Sequence, residues 1–299
     1  MTIDRNGLTV SRCTALTKVG LHVHTSRRAT RLERAAISHG RDASSIIKRI
    51  FSEAQCKGMG FVTITERNSL APSLVLKHSW PDKTFTGVEV TTLFPEDGGR
   101  VHLLAYGLQE PEFEEIRRIR RDIHELRDYI KERHIAYSVA HAVHSVEIKD
   151  LNVEHLEKLL LLFDVFEIVN GGCSYGSNLI WANLLRSLTP DCIERLMKKH
   201  PIRPISEDPW IKGFTAGSDD HLDGVIGDTY TVAPAGSVGE FLDYLRSKLT
   251  FVGEYRNPIG GWGGHPRRRG PDVQRTHDLT GSRLWADMFE SLDPRTEAA

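Results

Sequence analysis

Short apolar runs alternate with amphipathic stretches along most of this chain, a strand–helix order that commits it to α/β packing. The runs expected as strands are Val19–Val23, Phe61–Thr65, Thr84–Val90, Val101–Tyr106, Ala136–Ala140, Val165–Val169, Phe214–Gly217 and Thr229–Val232. Their order favours a mostly parallel sheet with helices packed outside it. Between the first two runs, Ile46, Ile47, Ile50, Phe51 and Ala54 recur on one helical face, with Asp42 placed to cap the start and Gly58 near the end. A longer helix is expected over Glu112–Glu132, with Ile116, Ile119, Ile123, Leu126 and Ile130 as its apolar stripe and its charge run as a solvated face. Ile193–Lys199 reads as another helix, and Glu240–Lys248 as the last one, closing the domain.

With 299 residues, 39% of them hydrophobic, the chain can bury a full core, in one large α/β domain or two small ones. Residues 1–17 read as an N-terminal extension, 18–254 as the folded domain, and 255–299 as a tail rich in Gly, Pro and Arg. The tail is either a solvated extension or a segment that docks Trp262 and Arg267–Arg269 on an anionic partner, and Arg283–Leu292 has the pattern of a short helix. Lys and Arg (39) balance Asp and Glu (40), so no overall basic field marks a nucleic-acid binder. Cys13, Cys56, Cys173 and Cys192 form no close pair, which points to reduced thiols rather than a disulfide framework. No apolar run reaches the ~20 residues of a membrane span, and the first residues lack the apolar core of a secretion signal, so a cytoplasmic protein is expected.

The residues able to carry chemistry gather at strand ends. His22 and His24 sit in Leu21-His22-Val23-His24-Thr25, and alternate side chains of a strand point the same way, so both imidazoles can face one divalent ion. Among fourteen histidines such a pair also arises by chance. Glu89 follows in the third strand and His141 after the fifth, while Asp219 and His221 follow Phe214–Gly217. Parallel sheets and barrels collect their sites at these C-terminal ends. His102 is the exception, because it lies at the start of its run. No serine-histidine-acid set, phosphate-binding glycine loop or dinucleotide fingerprint competes with this group.

Taken in order, His22-x-His24, Ile64-Thr65-Glu66-Arg67-Asn68, Gly87-Val88-Glu89, His102, His141 and Ser218-Asp219-Asp220-His221 resemble the motifs of the polymerase-and-histidinol-phosphatase (PHP) metal-dependent phosphoesterase family, over about residues 18–235. The resemblance implies an α/β fold of the distorted (β/α)7, TIM-like barrel type, with divalent ions at the strand C-termini. It implies that His22, His24, Glu89 and Asp219 hold one ion and that Glu89, His102 and His141 hold a second, with Glu89 bridging. Such a carboxylate can hold cations ~3.5–4 Å apart, and the mixed donors suit zinc, manganese or iron. No side chain is assigned as nucleophile; water is the implied one.

The chain departs from the family pattern at a third ion. Where the family has Thr-Asp-His-Asn, this sequence has Thr65-Glu66-Arg67-Asn68, and arginine has no acceptor with which to ligate a cation. Ser26-Arg27-Arg28-Ala29 likewise stands where the family usually has an acid or histidine, leaving His221 as the only inherited ligand for that ion. A two-ion hydrolase of a small phosphorylated substrate is therefore expected, with Arg67 and Arg28 binding the substrate's anion through planar, bidentate forks. Three alternatives stand beside it: Arg67 as part of a structural ion network with Glu66 or Glu89, a noncatalytic domain binding a phosphorylated ligand or partner, and a metal-dependent amide or lactone hydrolase. Asn170 is placed at a strand end facing the pocket, and His144, one turn past His141, is read as a surface residue.

Overall fold

The computed structural model describes residues 15–25, 43–148, 150–221 and 224–254. Asp42, Arg27, Arg28, most of the N-terminal extension and the tail 255–299 with its expected helix lie outside the described residues. Strands β1 (Thr17–Gly20), β2 (Phe61–Val62), β8 (Thr229–Ala233) and β9 (Phe251–Glu254) form one sheet in the order β2-β1-β8-β9. Strands β3 (Gly87–Leu93), β4 (Arg100–Tyr106), β5 (Ala136–Val139), β6 (Val165–Asn170) and β7 (Gly213–Gly217) form a second sheet in sequence order.

Both sheets are mixed, which corrects the expectation of a mostly parallel one. Strands β5, β6 and β7 are parallel neighbours, but β4 is antiparallel to both β3 and β5, and β8 is antiparallel to both β1 and β9. Local chemistry causes the first reversal. Gly98, at φ 79°, donates to the Phe94 carbonyl, and Asp97 accepts from the Gly99 amide, so Phe94–Gly99 folds back as a tight turn. The second reversal comes from a broken helix. Instead of one helix over Glu112–Glu132, the chain forms α3 (Glu110–Ile119) and α4 (Ile123–Glu132), because Asp122 accepts from the His124 and Glu125 amides and starts a new N-terminus. Two helices carry the chain out and back, so β5 begins beside the end of β4, with Tyr106 opposite Ala136.

No closed barrel is found among the described residues. Isolated bridges join the sheets at Val62–Thr84 and Arg67–Glu89 on one side and at Val23–Asp220 on the other. Between β7 and β8 the Thr231 hydroxyl accepts from the Ala216 amide (2.9 Å) and donates to its carbonyl (3.0 Å), so a side chain occupies groups that a strand ladder would use.

Helix α1 (Ala43–Cys56) buries Ile47, Ile50, Phe51 and Ala54 as its spacing requires and stops at Gly58, φ 74°. Helix α2 (Ala71–Ser79) follows β2, and α5 (Ala142–Glu147) follows β5. Helix α6 (Val153–Leu162) is buried along most of its length, including Leu156 and Leu159–Leu162, and packs with α7 (Tyr175–Ser187) and α8 (Pro190–Lys199) in the core over the five-stranded sheet. Helix α9 (Val238–Arg246) does not close the domain as expected, since β9 follows and pairs with β8. No helix among the described residues is long and apolar enough to cross a membrane.

One buried cation ties the layers together. The Lys212 ammonium, with no exposed side-chain surface, donates to the Leu160 and Phe163 carbonyls at 2.7 and 2.8 Å and pairs with Asp164 at 3.0 Å. Lys212→Met leaves those carbonyls without a donor and is expected to destabilise the fold by about 3 kcal/mol. The check is the urea midpoint, and an unchanged midpoint would show that the network contributes nothing net.

Candidate metal centre

The first two histidines are aimed by strand alternation. Beyond β1 the chain is pinned on both sides: His24 N–H donates to Asp220 O (2.9 Å), Asp219 N–H to His22 O (2.9 Å) and Thr65 N–H to Val23 O (2.8 Å). Leu21 and Val23 enter two apolar clusters, which leaves His22 and His24 on the other side with ring centroids 5.1 Å apart. Both rings are buried.

The remaining residues reach the same rim from the second sheet. Glu89 lies in β3, and His141 stands two residues past the end of β5 with φ 28° and ψ 44°, a sparsely populated backbone conformation of the kind held at functional sites. Asp219 follows β7 at φ 47°. His102, at the start of β4, no longer stands apart. Because β4 is antiparallel to its neighbours, its N-terminal end lies beside their C-terminal ends, and His102 pairs with Thr91 of β3.

Two buried carboxylates organise the cluster. Glu89 Oε1 is 2.8 Å from His102 Nδ1, 3.4 Å from His141 Nε2 and 4.0 Å from His22 Nε2, while Oε2 is 3.6 Å from His24 Nε2. Asp219 Oδ1 is 3.5, 3.4 and 3.2 Å from the Nε2 atoms of His22, His24 and His221. Burial opposes ionisation of both acids, but the surrounding imidazoles outweigh it and hold each carboxyl well below the usual range. Burial pushes His24 and His102 down. His22 is also opposed by burial, yet Glu167, Asp219 and Glu89 together lift it to about 9.

The donor set fits divalent cations. His22 Nε2, His24 Nε2 and His102 Nδ1 are buried and make no hydrogen bond of acceptable geometry, a cost of about 1–3 kcal/mol each unless another partner meets the atom. The sets His22, His24, Asp219 and His22, Glu89, His141 each bring their ligand atoms within 4.8 Å of one another, close enough to hold an ion.

Arg67 meets the cluster from the outside. Its Nε and Nη2 donate to Glu89 Oε2 and Oε1 at 3.0 and 3.4 Å, and 47% of its side chain stays exposed. Asn68, at φ 54°, braces this turn on β3 by exchanging hydrogen bonds with Thr91. Glu66 is occupied elsewhere, accepting from the amide and hydroxyl of Thr25. His221 stacks on His24 at 4.3 Å between centroids. Arg28 lies outside the described residues. His144 is half-buried, with its ring 6.2 Å from that of His141.

The residue that sequence reading missed is Glu167, which accepts from His22 Nδ1 at 3.0 Å. A signal was available, since an acid inside the apolar run Val165–Val169 must find a partner when buried. Asn170 is tied to this acid, its Nδ2 donating to Glu167 Oε2 at 2.8 Å. His155 and His200 are structural, pairing with Asp97 and Glu157. A cavity of about 320 Å³ opens at the opposite rim, beside Tyr137, Asp164 and Lys248, where Asp164 and Asp208 already hold the lysine.

No protein-family model and no curated protein matches the chain. Among solved structures it is similar to an amidohydrolase from Chromobacterium violaceum, solved with bound sulfate and no metal, at 12% identity and TM-score 0.46, covering 79% of this chain and 97% of that one. It is also similar to a protein from Bifidobacterium adolescentis described as a metal-dependent phosphoesterase, at 13% identity and TM-score 0.41, covering 69% of this chain and 88% of that one. Both likenesses are distant.

Proposed function

We propose that this chain is a metal-dependent hydrolase of phosphoesters that holds two divalent cations, zinc, manganese or iron, within an interrupted barrel formed by the two bridged sheets. The observation that carries it is the orientation of Glu89, with Oε1 toward His102 and His141 and Oε2 toward His24. His22 belongs to both ligand groups, but its Nε2, the nitrogen not held by Glu167, can give one lone pair to one cation. Assigning it to His24 and Asp219 leaves Glu89, His102 and His141 for the second, with Glu89 shared. When bound, such a pair of ions polarises a water and a phosphoryl oxygen.

The rest falls to the chain's own side chains. Buried Glu89 and Asp219 supply the negative charge that offsets the cations. Arg67 keeps one edge on Glu89 and offers its exposed donors to the substrate's anion. Metal analysis after reconstitution is expected to find about two ions per chain, with hydrolysis of phosphomonoesters or phosphodiesters; a chain that retains none ends the proposal.

Arg67→Ala is expected to raise KM for a phosphoester roughly 10-fold or more, the effect of losing one charge-assisted contact, while metal content stays at the wild-type level. A second reading has its own support, because Arg67 already contacts both oxygens of the carboxylate that would bridge. In that case the site binds a phosphorylated ligand without turning it over, and Arg67→Ala weakens phosphate binding in a protein inert toward all phosphoesters.

A further inference from the structure

We propose that Glu167 is a positioning residue that couples the two ligand groups, setting the tautomer of His22 and the backbone of His141 with one carboxylate. The inference rests on the metal-centre reading above. Glu167 is buried in β6 and has no solvent to satisfy it. Its Oε1 accepts from His22 Nδ1 at 3.0 Å, and its Oε2 accepts from the His141 amide at 3.1 Å and from Asn170 Nδ2 at 2.8 Å. A carboxylate bonded to Nδ1 holds a proton there, so the proton that His22 gives up to a cation is the one on Nε2, the atom that faces Glu89 and Asp219. The same acid holds the amide of His141, whose left-handed backbone needs a fixed anchor. His22 follows a strand of one sheet and His141 a strand of the other, so Glu167 ties the two halves of the site together.

The surrounding backbone is shaped for this contact. The β6–β7 register shifts after Glu167, which pairs with Thr215 while Val169 pairs with Ala216, leaving Ile168 as the extra residue of a bulge. Bulges beside functional sites re-aim side chains. Opposite lies Gly217, where a Cβ would come within 2.3 Å of His22 Cβ and 2.5 Å of Glu167 Oε1. Only glycine leaves room for the two side chains to meet.

All three partners of Glu167 are donors, and a glutamine has a single acceptor oxygen, so Glu167→Gln cannot satisfy both sides. Titration calorimetry with Zn²⁺ is expected to show a 10–100-fold weaker Kd for Glu167→Gln. Nitrogen-15 NMR of the histidine rings in the metal-free protein, recorded above about pH 9 where His22 has lost its second proton, is expected to show wild-type His22 protonated on Nδ1 alone and the variant as a mixture of tautomers, a change that loss of stability alone does not produce. If Glu167→Gln fails to fold, Glu167→Asp is read in the same way, since it keeps charge and acceptors but shortens the reach. Wild-type affinity and an unchanged His22 tautomer in the folded variant would overturn the inference. A wild-type protein that binds no Zn²⁺ would overturn the metal centre itself.

Discussion

Glu89→Gln is expected to remove most of the metal response of this protein. The two oxygens of Glu89 face the ring nitrogens of different histidine groups, and it is fully buried. An amide of the same shape keeps the packing but offers one acceptor oxygen and an NH2 group that repels a cation, so the two groups no longer share a ligand and at least one loses it. The effect can be read without a substrate. A cation present at a thousand times its Kd stabilises the native state by about 4 kcal/mol, which for a chain of this size moves the melting temperature by roughly 8–16 °C. Zn²⁺ or Mn²⁺ should produce that shift in the wild-type protein and little of it in Glu89→Gln, with hydrolysis lost in parallel. A variant that keeps the full shift would mean that the cation sits elsewhere and that Glu89 serves only to pair with Arg67.

That the cluster was legible in sequence follows from how local its causes are. Alternation in Leu21–Thr25 places His22 and His24 together, and strand ends place Glu89, His141 and Asp219, with no need to know which strands are neighbours. His102 depended on non-local information, because the end of the sheet it occupies is set by the direction of β4 against β3 and β5. That direction traces to the Phe94–Gly99 turn and to the break at Asp122. Both carry recognisable signals, an Asp-Gly-Gly turn and an N-capping acid, but a continuous apolar stripe from Ile116 to Ile130 masked the second. Sheet closure was not legible at all. Whether β7 and β8 join by a ladder or through the Thr231 hydroxyl is decided by contacts between residues far apart in the chain, which no periodicity records. Glu167 falls between these cases: its burial was readable from its apolar neighbours, its partners were not.

Proton competition at His22 leads to the second large effect. In the metal-free protein three carboxylates raise this imidazole from 6.5 to about 9, whereas Glu89 and Asp219 are ionised far below neutrality and burial keeps His24 and His102 neutral. Between pH 7 and 9 these five ligands therefore release one proton, that of His22, when a cation binds. Apparent metal affinity should rise about tenfold per pH unit over this interval and level off above it. The metal-free protein runs the other way. A raised folded-state pKa gives stability that is fully present below 6.5 and is lost as pH climbs through about 9, because there the native state binds more protons than the unfolded chain. Lys212, pushed down to about 8 by burial, titrates in the same range, but it lies away from the cluster and cancels in the difference between metal-free and loaded protein. At fixed free metal the thermal shift should thus grow by about 2.3 kcal/mol, or roughly 5–9 °C, from pH 7 to 9. Calorimetry in buffers of different ionisation enthalpy counts the released protons directly. A count near zero would mean that His22 binds no cation, and a count of two or more would add a second proton source, either another ligand or a cation-bound water.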